Sequence, residues 1–421
     1  MKKLIVLIFS CLALPLWATP LWTTDNVEYS GFGTLGVVGT DSDFYGYRQD
    51  ISQADGAFKH DIDFNSVSVL GLQLDLNINK KMGAVYQTVY QDQNDLSVDS
   101  ATRMAFLRHS PNAAWSFRAG RTAVDLFLLT EYRDVGFAYT WAQPPKEVYG
   151  IVPFRHLDGV DVTYSTRFTD LTLRSKIFTG KSKSDIATFD SFEEYKIDNV
   201  LGISFSFEAI DWTIKVQYTT VKVENETLSQ LMLRQGVSQI PEVVWPNATN
   251  FAEELSVNNN KVKYASLSGR YDLGEWQLLS EFTHINSDLL VIPELLAGYV
   301  SIIRRHNNHA GYVIVAFTDS DNFDITSMNV NTALLPPEGL ALYHGVDQTM
   351  NFYASNQKTL SIGWRWDIRE NLAFKVQLDH TKIDEKGGTL WLNRSSTPIP
   401  GQLLTPKETV NTLSTNLSFT F

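Results

Sequence analysis

"LGLQLDLNIN", residues 70–79, alternates without a break: Leu70, Leu72, Leu74, Leu76 and Ile78 against Gly71, Gln73, Asp75, Asn77 and Asn79. Period two puts one set on each face of a strand. The apolar face points either at a protein core or at lipid. In the first case the polar face meets bulk water; in the second it lines a wet interior. The rest of the chain decides between them.

Sixteen segments alternate in this manner: 27–38, 69–79, 83–91, 103–109, 113–121, 160–166, 171–180, 200–208, 212–223, 262–271, 276–285, a weaker 298–304, 310–318, 358–368, 372–383 and 409–421. The joints between them are sorted by parity. "NKKM", "HSPN", "RFTD", "EAID", "DLGE", "HNNH" and "RENL" are tight and rich in turn residues, as hairpins require. The other joints are long, the largest being 41–68, 122–159, 224–261, 319–357 and 384–408. Short turns at one end and long loops at the other mark a transmembrane barrel, and a soluble sandwich has no reason to sort its connections so.

Trp115, Trp212 and Trp276 each follow a short turn by a position or two, which sets them at one end as an aromatic girdle. Taking their phase as outward, Trp115, Phe117 and Ala119 face out, as do Ile214, Val216 and Tyr218, and Leu360, Ile362, Trp364 and Trp366; none is charged. The opposite phase holds Arg118, Arg174, Lys176, Lys215, Arg365 and Lys375. A dry sheet-on-sheet core does not accept so many charges. The interior is therefore expected to be wet, with those six residues, Gln73 and Asp75 lining a pore and Leu70–Ile78 facing lipid.

The bulk properties agree. The chain has 421 residues, 43% hydrophobic, with a mean hydropathy of −0.14. Past residue 18 no apolar run is long enough for a transmembrane helix, which excludes a helical bundle but not a barrel. "MKKLIVLIFSCLALPLWA", residues 1–18, has the basic start, apolar run and small-residue end of an export signal. Cys11, the one cysteine, falls inside it, so the mature chain, 19–421, is read as a single disulfide-free barrel domain. Removing Lys2 and Lys3 takes 35 bases to 33 against 47 acids, a net charge of −14 that disfavours nucleic-acid binding.

These features, with "YSGFGTLGVV" on the first strand, "WSFRAGR" before a long third loop and the final "TLSTNLSFTF" ending at Phe421, resemble a Gram-negative general porin. The resemblance implies an all-β, sixteen-stranded antiparallel barrel with short periplasmic turns and long external loops. It implies an outer-membrane address among lipid and lipopolysaccharide, assembly by the barrel-assembly machinery with Phe421 as its signal, a homotrimer, and passive diffusion of small hydrophilic solutes past a third loop folded into the lumen. The third loop, 122–159, lacks the acidic Gly-rich tip of that family.

That loop carries Asp125, Glu131, Asp134 and Glu147 with Arg133. Facing Arg118, Arg174, Lys176 and Lys215, its acids either set a transverse field across a narrow aqueous gap or simply pair with the wall. Tyr132, Phe137, Tyr139 and Trp141 either stack against solute or pack the loop to the wall. His306 and His309 have a metal-like spacing but fall in a turn, and no G-x-S-x-G or H-E-x-x-H occurs. No enzyme, metal or cofactor is expected. Besides the diffusion channel, two readings stay open: a channel selective for a small anionic or aromatic solute, and an adhesion or receptor barrel using 224–261 and 319–357.

Overall fold

The computed structural model describes residues 23–24, 26–53, 55–94, 97–187, 192–257, 260–393 and 405–421; the export signal read at 1–18 lies outside them. Every alternating segment forms a strand: β1 (Val27–Thr40), β2 (Val69–Asn79), β3 (Met82–Tyr90), β4 (Thr102–His109), β5 (Trp115–Thr122), β6 (Leu157–Arg167), β7 (Thr172–Ala187) and β8 (Phe192–Glu208). The series continues with β9 (Trp212–Val223), β10 (Lys261–Leu273), β11 (Trp276–Ser287), β12 (Leu295–His306), β13 (His309–Ser320), β14 (Ser355–Arg369), β15 (Leu372–Gly388) and β16 (Glu408–Thr420). Each pairs antiparallel with its sequence neighbours, and β16 pairs with β1, Leu417 opposite Leu35 and Phe419 opposite Gly33. The sheet is a closed sixteen-strand barrel.

Closure is completed just past β16. Phe421 exchanges two backbone hydrogen bonds with Gly31, at 2.8 and 2.9 Å. Its ring lies over that glycine so closely that a Cβ on Gly31 would stand 2.3 Å from it, and Phe419 covers Gly33 in the same manner at 2.5 Å. Glycine is required at both positions by this approach rather than by backbone conformation.

The turns form for local reasons. The side chains of Asn79 and Asn112 each accept two backbone N–H bonds at the start of the following strand. Asn307 and Gly274 take positive φ, 52° and 57°, at the tips of two hairpins. On the long-loop side β7, β8 and β15 run several residues past the alternating apolar signal. Pairing continues there above the hydrocarbon, where no apolar side chain is needed.

The two faces are inverted relative to a soluble sheet. Leu72, Ile214, Leu267, Ile302, Val313, Leu360, Trp364 and Leu413 are exposed, while Gln217, Ser268, Ser301, Lys375, Gln377 and Ser414 are buried. Trp115, Trp212 and Trp276 stand at the first positions of β5, β9 and β11, all on the short-turn rim. Trp115 packs on Tyr164 of the neighbouring strand at 4.8 Å between ring centroids.

The long loops contain helices that the periodicity reading left out: α1 (Leu228–Ser238), α2 (Ala248–Glu254) and α3 (Pro337–Met350). Thr227 and Gln230 form a capping box at the start of α1, and Pro337 opens α3. Trp245, Phe251, Val346 and Met350 bury a small core between them. A second cluster joins Tyr45 and Tyr47 to Trp391 through a short ladder of Tyr45–Tyr47 with Trp391–Asn393.

The lipid-face phase predicts a sharp asymmetry between two adjacent residues. Leu74→Arg sets a charge in hydrocarbon at a cost of about 2–4 kcal/mol near mid-depth and lowers the folded, heat-modifiable fraction on unboiled gels. Gln73→Arg points into the lumen and folds at wild-type level.

Candidate functional site

The segment 123–156 between β5 and β6 folds into the barrel. Its entry is prepared at Gly120, which takes a φ of +125° near the end of β5. Arg121 bonds Asp158, its direct cross-strand partner on β6, at 2.7 Å. A loop inside a barrel carries backbone groups that need partners, and the inward side chains supply them. Lys375 Nζ donates to the carbonyls of Gly136, Tyr139 and Trp141 at 2.5, 2.7 and 2.9 Å. Arg365 donates to those of Phe137 and Tyr139, and Asn416 to that of Ala142. Trp141 Nε1 donates to Ser301, and Tyr312 Oη accepts from the Ala142 amide, both at 2.8 Å. Counting ion pairs, the loop is bonded to β4, to β5 and to every strand from β7 to β16. Arg365 and Lys375 thus hold the loop; Lys375 is fully buried beneath it.

The interior is only half wet, which corrects the expectation of a water-filled lumen throughout. The inward residues Tyr299, Ile303, Tyr312 and Ile314 of β12 and β13 pack against Trp141, Leu129 and Val148 of the loop in one apolar core. The signal was available: in 298–304 large apolar residues fall in both phases, Tyr299 and Ile303 in one and Val300 and Ile302 in the other, and this weak alternation marks a wall dry on both sides. Tyr139 and Trp141 pack in this region, with ring centroids 6.2 Å apart.

The predicted charges fall into separate groups. Asp125 meets Lys215 at 2.5 Å, Lys176 at 3.3 Å and Ser204 at 3.1 Å. Glu131 meets Arg118 at 2.9 Å, and Arg118 also holds Asp161 of β6 at 2.9 Å. Loop acids and wall bases are therefore in direct contact here. Arg174 extends this stretch toward the turns, half exposed, 3.4 Å from Glu208. Asp134 and Arg133 lie elsewhere: Asp134 pairs with Arg155 at 2.6 Å and Arg103 at 3.6 Å, while Arg133 and Arg155 converge on Asp50. Glu147 is buried against Gln357 and Thr359. Gln73 and Asp75 bond each other at 2.7 Å, with Gln87 alongside. Arg103, Arg155 and Asp50 were not singled out in the sequence, since three distant segments bring them together.

Of the cavities beside the loop among the described residues, two lie on opposite sides of it. The one on the short-turn side has a volume of about 710 Å³. Seven cationic side chains line it (Arg108, Arg118, Arg174, Lys176, Lys215, Arg270 and Arg305) against Asp125, Glu131 and Glu208. The one on the long-loop side, about 150 Å³, lies among Val124, Leu126, Val152, Tyr264, Leu289 and Val291. No charged side chain among the described residues lines it. Also among the described residues, no group of three or more His, Cys, Asp or Glu is placed to hold a metal ion.

Known structures share this architecture. The chain resembles the outer-membrane channel DcaP of Acinetobacter baumannii, with a TM-score of 0.50 and 11% identity over 95% of this chain and 100% of that one. It also resembles OmpT, an outer-membrane protein of Vibrio cholerae, with a TM-score of 0.51 and 9% identity over 96% and 100%. At these identities the likeness is one of fold, and the fold is that of sixteen-stranded outer-membrane barrels. No sequence profile of a known family matches the chain, and no curated protein sequence matches it.

The junction of the loop with 48–53 is acid-sensitive in a defined window. Burial raises the Asp50 carboxyl, but the Arg155 and Arg133 guanidiniums outweigh it and hold the group at about 2. The folded value lies below the unfolded one of about 3.9, so the junction is stabilised above that value and loses the contribution as pH falls toward 2. Pepsin cleavage within 41–68 or 123–156 is expected to rise between about pH 4 and pH 2. In Asp50→Asn, which takes the shared counter-charge from Arg133 and leaves Arg155 to Asp134 alone, at a cost of about 3–5 kcal/mol, cleavage is already high at the upper end.

Proposed function

We propose that this protein is an outer-membrane channel for small hydrophilic solutes, of the substrate-selective rather than the open kind, with a preference for anions. The long loops face outward and the short turns the periplasm. Export through residues 1–18, assembly through the strand closed by Phe421, and a homotrimer in lipid and lipopolysaccharide belong to this reading and rest on the general-porin resemblance. The chemistry is transport rather than catalysis.

The observation that carries selectivity is the cationic excess of the short-turn cavity, seven bases to three acids, beneath a loop bonded to most of the wall. A mature charge of −14 argues superficially for cations. Yet most acids fall in loops, and charges more than a Debye length away, about 8 Å at physiological salt, are screened from the narrow zone. There the local wall sets the potential met by a permeating ion.

Arg174 and Arg270 are half exposed to the cavity and make no bond to the loop, so both can be neutralised without releasing it. In planar bilayers under a salt gradient, wild type passes a small current with an anion-selective reversal potential. Arg174→Gln with Arg270→Gln shifts that potential toward cations, more strongly at low salt than at high. An unchanged potential at low salt removes the anion preference. No current from well-folded protein removes the channel reading in favour of an adhesion or receptor barrel.

A further inference from the structure

One short stretch of the loop lies between the two cavities. Val124 and Leu126 line the apolar cavity above, and Asp125 between them lines the basic cavity below. The stretch is pinned from both sides: Tyr264 Oη donates to the Leu126 carbonyl at 2.9 Å, and Lys215 Nζ holds the Asp125 carboxylate. An apolar space in the lumen of a channel is a poor site for water, which needs two to four polar partners. A dry apolar cavity of about 150 Å³ takes up a molecule the size of benzene. One residue away, Lys176, Lys215 and Ser204 converge on a single carboxylate, and that carboxylate belongs to the loop itself.

We infer that the apolar cavity above the third loop is a binding site for the hydrocarbon part of a small monocarboxylate, whose carboxylate exchanges with that of Asp125 on Lys176 and Lys215. This rests on the channel reading and names the solute class. The ring or short alkyl chain enters from the long-loop side and is desolvated among Val124, Leu126 and Val152. The carboxylate then competes with Asp125, a built-in stand-in for the same group. Exchange of one carboxylate for another leaves the lysines paired throughout, and the displaced Asp125 carboxylate turns into the basic cavity it lines, where Arg118 and Arg174 also stand, so the partition opens without leaving an unpaired buried charge. A solute with a carboxylate but no hydrocarbon gains only the second half of the site.

The test compares benzoate with acetate as blockers of the current, added on the long-loop side. Benzoate blocks at concentrations at least about tenfold below acetate. Val152→Asn and Ile292→Asn, on different loops around the cavity, each bring that ratio back toward one. Asp125→Asn frees the lysines and strengthens block by both anions. A wild-type ratio of one, or a ratio that both cavity variants leave intact, overturns the apolar site; weaker block in Asp125→Asn overturns the exchange. If wild type carries no current, the channel reading has failed. Saturation-transfer NMR of benzoate on detergent-solubilised protein then decides the site alone: transfer lost in Val152→Asn supports it, and absent or unaltered transfer overturns it.

Discussion

In hydrocarbon no backbone N–H or C=O can be left without a partner, so a sheet that crosses a bilayer must close on itself. That constraint rests here on the seam between β16 and β1. Phe419 and Phe421 lie flat over Gly33 and Gly31, so the two strands meet with no side chain interposed and the lipid face stays continuous across the join. A larger residue at either glycine would push the aromatic ring off the seam. From closure follow the even strand count, the sorting of joints into turns and loops, and the inversion of faces.

Closure also creates the problem that the third loop solves. An eight-stranded barrel is just filled by its own side chains; one of sixteen strands leaves a lumen the wall cannot fill. Here 123–156 occupies it. The loop is mostly irregular backbone, so its carbonyls must be satisfied by the wall. Lys375 serves three of them and Arg365 two. Hydrogen bonds from charged donors contribute roughly 1.5–3 kcal/mol each, more than neutral ones. The inward charges consequently divide into those spent on holding the loop and those left to face solute.

This division explains what could be read from the sequence and what could not. Strand number, order, phase and the girdle tryptophans follow from period two and turn chemistry, because lipid imposes one rule on every outward position. Inward positions obey no such rule. Lys375 and Lys215 look alike as inward lysines; one lies under loop backbone and the other reaches a loop carboxylate, and only the path of the loop separates them. The group of Asp50, Arg103, Arg133, Asp134 and Arg155 draws on the first and third loops and β4, a juxtaposition no local pattern encodes. The capping box at Thr227 and the proline at Pro337 were legible as helix starts, but strand periodicity drew the reading away from the loops.

The same anchoring limits how the lumen can open. Swinging the whole third loop aside breaks the Lys375, Arg365, Asn416 and Trp141 bonds together and exposes an apolar core that includes Tyr299, Ile303 and Ile314. Several kcal/mol of charge-assisted bonding alone oppose it, many times the thermal energy of about 0.6 kcal/mol. The stretch Val124–Asp125–Leu126 is different in kind. Its main charged anchor is the Asp125 carboxylate, held by Lys176 and Lys215. A change confined to these residues leaves the rest of the loop seated and the barrel wall undisturbed. On the proposed exchange, solute passage through a rigid wall reduces to competition for one pair of lysines, and the part of the channel that moves is the part where a solute's charge replaces the protein's own.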